Sequence, residues 1–247
     1  MMRQAGAVVA RVLSKLKELA EPGVSTGELD RVATRMTAEA GALPLFKGVR
    51  SPHTPRPFPG AICASVNHEV VHGIPSDQTV LREGDILSLD FGARFKGYCG
   101  DAAITVGIGR VSRDRERLME VTRQVLEIAV AEIRPRVRWS QIAGKMQQHA
   151  EQSGFSVVRD FVGHGIGTQM HEDPKVPNFV SQELLAEDIV LAEGMVLAIE
   201  PIINAGGVAV RTTANGWTVV TADGRCSAHF EHTVAVTATG CDVLTVN

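Results

Sequence analysis

Val8, Val9, Val12, Leu13, Leu16 and Leu19 recur at helical spacing, with Arg11, Lys15, Lys17 and Glu18 between them. The chain therefore opens on an amphipathic helix. Pro22-Gly23 stops it, and Ser25 followed by Glu28 has the spacing of a capping box that starts a second helix, running to about Gly41. The layout then returns. The pattern predicts a helix over about Arg113 to Ile133, an interruption at Pro135 and another helix to about Gly154. Pro22, Val24 and Gly41 map onto Pro135, Val137 and Gly154 at one constant offset. Leu81-Arg-Glu-Gly-Asp-Ile-Leu-Ser-Leu-Asp90 likewise resembles Leu191-Ala-Glu-Gly-Met-Val-Leu-Ala-Ile-Glu200, sharing Leu, Glu, Gly and Leu and ending in a carboxylate both times. Either likeness alone would pass as chance. Together, in the same order, they predict an α+β domain of two related halves, about 1–110 and 111–247. Two units are too few for a solenoid.

Composition narrows the function. The chain has 28 acidic and 25 basic residues, a formal charge of −3, which excludes a strongly basic nucleic-acid surface and an acidic disordered tail. Aromatics are 4% of residues, too few for a base-stacking platform. Cys63, Cys99, Cys226 and Cys241 are scattered without a C-x-x-C, so neither a disulfide scaffold nor a thiolate zinc site is expected. Arg11 and Lys15 interrupt the first apolar run too early for a signal-peptide core, and no run approaches the roughly 20 apolar residues of a membrane span. The expectation is a cytoplasmic protein with no membrane and no specific nucleic-acid partner. The absence of a coiled coil points to a monomer.

His68-Glu-Val-Val-His72 spells H-E-x-x-H, a zinc motif that works only on a helix. Here Val70 and Val71 are β-branched and Gly73-Ile74-Pro75 follows at once, so a strand is expected. Residues four apart on a strand are separated by roughly 13 Å, too far to share one ion. His72 remains a candidate as a strand-end residue. His68 is expected to be an exposed bystander.

Six other positions carry the candidate chemistry. Asp90 and Asp101 flank Phe91–Gly100, whose Lys96-Gly97 reads as a hairpin turn, so the two aspartates face each other and stay ionised only with a cation between them. His164 and His171 lie in a glycine-rich loop that lacks the spacing of a phosphate loop. Glu200 ends the apolar strand Met195–Ile199, and Glu231 lies within another, Ala228–Val236. A carboxylate among apolar neighbours is costly unless paired or metal-bound. Four carboxylates and one imidazole suit manganese, iron(II), cobalt or zinc, and the count suits two bridged ions better than one.

In order along the chain, Asn67-x-x-Val70-x-His72-Gly-Ile-Pro, Asp90, Gly97-Tyr-x-Gly-Asp101, Gly163-His-Gly-Ile-Gly, His171-Glu-x-Pro, Gly194-Met-x-x-x-Ile-Glu200-Pro and Glu231-His-Thr resemble the type I methionine aminopeptidases. The likeness runs from the first helix to about Val236. It implies the pita-bread fold: two pseudo-symmetric α+β halves with a central antiparallel sheet covered by helices. It also implies removal of N-terminal methionine from nascent polypeptides, at or near the ribosome, with two divalent ions and preferably a small second residue. By resemblance Asp90 binds one ion, His164 and Glu200 the other, and Asp101 and Glu231 bridge. Glu200 shuttles the water's proton, and His72 and His171 contact substrate.

The methionine pocket is expected to draw on Phe58, Cys63, Met170, Phe230 and Trp217. Met170 stands where an aromatic is common in the family, and His229 where glutamine is frequent. Ser51–Pro59 carries four prolines and lacks the usual tyrosines, which either rigidifies a surface loop or reshapes the pocket wall. Backbone carbonyls near Asn67 and Ser227 are candidate ligands of a monovalent cation, as in relatives. The nearest rival is an Xaa-Pro aminopeptidase or prolidase, which usually carries an added N-terminal domain, whereas this chain starts at the first catalytic helix. A non-catalytic binding module of the same fold would lack some of the five ligands.

Overall fold

The computed structural model describes residues 1–52 and 54–246, so His53 of the proline-rich stretch and Asn247 lie outside the described residues. The paired helices are α1 (Met2–Leu19), α2 (Thr26–Glu39), α3 (Arg113–Glu132) and α4 (Trp139–Gln152). A single-turn helix, Gln182–Ala186, lies further on. Ser25 caps α2 as expected: its side chain accepts from the Glu28 N–H at 3.2 Å, and the Glu28 carboxylate accepts from the Ser25 N–H at 2.7 Å. Ser25→Ala removes the side-chain contact and keeps the backbone one, and should cost about 1 kcal/mol of stability, read from urea denaturation, with catalysis unchanged.

The internal repeat reappears as matched hydrogen bonds. Leu81 N–H donates to Val24 C=O and Gly23 N–H to Leu81 C=O; equivalently, Leu191 N–H donates to Val137 C=O and Arg136 N–H to Leu191 C=O. Gly84 and Gly194 occupy the same left-handed turn position, with φ of 91° and 90°. The two large apolar clusters divide near the same boundary. One spans residues 8–108 under α1 and α2; the other spans residues 118–236 together with Ile86, under α3 and α4.

All strand pairings are antiparallel among the described residues. The long hairpin Ile86–Phe95/Tyr98–Gly107 turns at Lys96-Gly97, both at positive φ, as a two-residue hairpin turn requires. Leu43–Pro44 and Cys63–Val66 complete its sheet. A five-stranded sheet holds Cys241–Val243, His232–Val236, Val196–Ile199, Gly163–Gly165 and Glu172–Val176 in that order. The two sheets meet where Ala103 pairs with Glu231, and Thr233 clamps Asp101, its hydroxyl donating to Asp101 C=O at 2.7 Å and accepting from Asp101 N–H at 2.9 Å.

Two local expectations change. His164 sits on a short strand, Gly163–Gly165, rather than in an open loop, because its backbone pairs with Ala198. The strand expected over Ala228–Val236 is broken at Phe230-Glu231. Ser227–His229 pairs with Ile202–Asn204, while His232–Val236 pairs with Val196–Ile199. The ribbon thus changes sheets at a corner formed by Glu200-Pro201 on one strand and Phe230-Glu231 on the other. H-E-x-x-H lies on the strand Glu69–Val71 and not on a helix, with His68 exposed.

Candidate metal centre

Hairpin register decides how the aspartates meet. Asp90 pairs with Ala103 and Asp101 with Gly92, so the two are diagonal neighbours on one face. Glu200 and Glu231 reach the same place from the corner between sheets, and His164 from its short strand. One ligand atom each from Asp101, His164 and Glu231 lies within 4.8 Å of the others. His164 Nε2 is 3.9 Å from Glu200 Oε1. Its Nδ1 is 2.8 Å from Gly165 C=O. With the proton on Nδ1, donated there, Nε2 is left as a free ligand.

The electrostatics are those of crowded, dry carboxylates. Burial, then Asp101 and Glu200, push Asp90 well above the carboxylate range. Burial lifts Asp101 to about 7. Glu200 and Glu231 are raised by burial and then by their acidic neighbours. Asp90 Oδ1, Asp101 Oδ1 and Glu231 Oε1 are buried without a hydrogen-bond partner among the described residues. No lysine or arginine pairs with any of the four carboxylates among the described residues. Such a cluster is unfavourable unless it is protonated or holds a cation. Its hard oxygen donors and single ligating imidazole fit one or two divalent ions.

Two cavities open onto the carboxylates. The narrower, about 210 Å³, is lined by Phe46, Val49, Phe58, Cys63, Met170 and Trp217 above Asp90, Asp101 and Glu231. The wider, about 670 Å³, is lined by Phe161, Val162, Gly163, Gln169, Glu172, Asp173 and Lys175. His72, His164, His171 and Glu200 border both. Burial lowers His72 to about 4, so its imidazole is neutral at pH 7 and works through an N–H rather than a charge. His72 is held edge-on to Phe161 at 5.4 Å and to Trp217 at 6.4 Å; His171 stacks edge-on to His164 at 4.4 Å.

Four of the five expected pocket residues meet here. Phe230 does not: it lines a separate surface cavity with Lys17, Thr105 and Met119. Side chains alternate along extended backbone, so His229 and Glu231 facing the centre turn Phe230 away. Phe46 and Val49 were not anticipated, because no local pattern tells that the segment after α2 folds over the site. The proline-rich stretch contributes to the wall. Its four prolines are exposed, yet Phe58 is buried edge-on to Trp217 at 5.3 Å, and Trp217 Nε1–H donates to Arg56 C=O at 2.9 Å. Near the candidate monovalent-cation position, Ser227 N–H donates to Asn67 C=O at 2.8 Å.

Buried, cation-seeking carboxylates at the junction of two pseudo-symmetric halves form a site for divalent metal. Metallopeptidase family M24 matches residues 1–238 of the chain. Methionine aminopeptidase 1 of Bacillus subtilis is 48% identical over 244 residues, covering 99% of this chain and 94% of that one. The crystal structure of methionine aminopeptidase from Thermotoga maritima superposes with a TM-score of 0.93 at 39% identity, covering 99% of this chain and 95% of that one. An Xaa-Pro dipeptidase from Bacillus anthracis shares the fold at a TM-score of 0.77 and 22% identity, all of this chain matching 60% of that one. The chain belongs to metallopeptidase family M24 and has the pita-bread fold. It is a hydrolase that uses divalent metal. No helix among the described residues is long and apolar enough to cross a membrane.

Proposed function

We propose that this chain is a methionine aminopeptidase, a single catalytic domain that hydrolyses the first peptide bond and favours a small second residue. Two divalent ions, of cobalt, manganese, iron or zinc, would be held by Asp90, Asp101, His164, Glu200 and Glu231. Asp90 would serve one ion and His164 and Glu200 the other, with Asp101 and Glu231 shared between them. The observation that supports this best is the set of buried, unpartnered carboxylate oxygens at the floor of a narrow apolar cavity. When bound, the metal supplies Lewis acidity, lowering the pKa of a water and polarising the scissile carbonyl.

The chain's own groups do the rest. The narrow cavity takes one unbranched apolar side chain, against Phe58, Cys63, Met170 and Trp217. The anionic floor favours a free amino terminus beside it, and the wider cavity takes the remaining peptide. Glu200 receives the attacking water's proton. His171, at the rim of both cavities, donates to the developing oxyanion. His72 donates an N–H to the second residue. His72→Ala should lower kcat about 10²–10⁴-fold while metal content stays that of the unmodified protein, read by metal analysis beside the assay. Loss of metal in that variant would refute its role as a substrate contact.

The substrates are nascent polypeptide N-termini in the cytoplasm, at or near the ribosome, and the working form is a monomer. A deciding assay gives metal-reconstituted protein Met-Ala-Ser and an Xaa-Pro peptide side by side. Release of methionine from the first alone is the expected result. Cleavage of the Xaa-Pro peptide alone would turn the reading to the prolidase relatives, and no cleavage with any divalent ion would return a binding module.

A further inference from the structure

His229 has no part in the reaction just described, yet it lies beside two of the carboxylates. Its imidazole is 3% exposed, and Nε2 has no hydrogen-bond partner among the described residues. Nε2 lies 3.9 Å from Glu200 Oε2 and 4.0 Å from Glu231 Oε2. Glu200's other oxygen faces His164 Nε2 at 3.9 Å, so this carboxylate stands between two imidazoles.

The position of His229 is fixed by a buried polar chain. His229 N–H donates to Thr105 Oγ1 at 2.9 Å, and the Thr105 hydroxyl donates back to His229 C=O at 2.8 Å. Ser88 Oγ lies 2.8 Å from Thr105 Oγ1. Because the single Thr105 hydroxyl proton is already given to His229, Ser88 is the donor in that contact. On its other side the His229 backbone pairs with Ile202, two residues beyond Glu200.

Once a bound cation keeps them ionised, Glu200 and Glu231 only accept hydrogen bonds, and Nε2 faces one on each side at nearly equal distance. The nitrogen that faces them therefore carries the proton. Contacts of 3.9 and 4.0 Å exceed hydrogen-bond range by about an ångström, a gap that a small movement of the carboxylates closes.

We propose that His229 is a positioning residue of the metal centre: its Nε2–H is the hydrogen-bond donor to the Glu200 and Glu231 carboxylates and fixes their orientation as metal ligands. This rests on the ligand roles proposed above. The test compares His229→Gln, His229→Asn and His229→Leu. A glutamine amide nitrogen reaches about as far as Nε2, an asparagine amide only about as far as Nδ1, and leucine has no donor. Manganese affinity is measured by calorimetry, with the visible spectrum of the cobalt-loaded proteins and the melting of the metal-free ones. Outer hydrogen-bond partners of metal ligands are worth about 10–100-fold in affinity, so Leu and Asn should weaken manganese binding by that factor and shift the cobalt bands, while Gln stays within about threefold. Manganese binding undiminished in both the Leu and Asn variants would overturn the proposal. So would a Gln variant as weak as Leu. Should His229→Leu fail to fold, the contrast of Gln with Asn decides alone. Asp101→Asn is run beside them. If it also binds manganese at full strength, the ligand assignment fails; if it loses the metal and the His229 variants do not, only the positioning role fails.

Discussion

Asp101→Asn is expected to lose metal and peptidase activity together. Asp101 is 4% exposed, its Oδ1 has no partner among the described residues, and its charge raises Asp90, Glu200 and Glu231. An amide keeps the shape and removes the charge that makes the cluster a cation site. Because Asp101 is a ligand in the proposed centre, the loss of affinity should exceed the 10–100-fold typical of outer partners, to more than about 100-fold. Glu231→Gln should behave alike. Calorimetry, metal analysis and the Met-Ala-Ser assay read both effects in one preparation. Full activity with full metal content would remove Asp101 from the centre. The fold should survive, since the Asp101 backbone is clamped by Thr233 whatever its side chain.

The second large effect belongs to the metal-free protein, which should lose stability as pH rises from about 6.5 to 8. The four carboxylates have raised folded-state pKa values, Asp101 about 7 and the others well above the usual range. A group raised on folding stabilises below its unfolded pKa, and that contribution fades as pH climbs through its folded one. His72, His164, His229 and His232 are lowered to about 4, 4, 3 and 4, and His171 is lowered too, so they act in the opposite sense. Their contribution is half changed at the ordinary histidine value near 6.5 and fades within about a pH unit above it. Beyond that the carboxylates stand alone, and each proton the folded state holds in excess costs about 1.4 kcal/mol per pH unit. Thermal melting of the metal-free protein should fall across this window. Divalent metal should raise it most at pH 8, because bound cations replace the protons, and Asp101→Asn should reduce the slope. A metal-free melting temperature that is flat or rising from pH 6.5 to 8 would contradict the picture of crowded, proton-holding carboxylates.

Much of the fold was legible because its signals are local. The helices follow from the spacing of Val8 to Leu19, the Ser25–Glu28 box and the Pro135 interruption. The hairpin turn follows from Lys96-Gly97 between apolar runs. The zinc-motif trap at His68–His72 was avoidable on the same grounds, since β-branched residues followed by Gly-x-Pro do not sustain a helix. The pseudo-repeat was legible because each copy makes the same backbone bonds, at Val24 with Leu81 and at Val137 with Leu191.

The pocket was legible only in part. Phe230 looked like a wall residue because it lies between His229 and Glu231, both of which reach the centre. A one-residue step on extended backbone turns a side chain to the opposite face, and no local pattern says which face is inward where a ribbon changes sheets. Phe46 and Val49 lie in the segment that follows α2, whose own pattern is silent about what it covers.

The sequence by itself determined which residue types were available and the local conformation that presents each of them: aspartates on hairpin strands, a histidine between glycines, glutamates beside apolar strands. The tertiary structure alone decided that residues 90, 101, 164, 200 and 231 share one buried volume. That convergence depends on the register joining Ala103 to Glu231 across two sheets and on the corner that turns Glu200 and Glu231 inward together. Short-range propensity specifies a strand and its alternation. It does not specify which strand is its neighbour, and the energies that matter at this centre, desolvation and repulsion between carboxylates, exist only once the neighbours are in place.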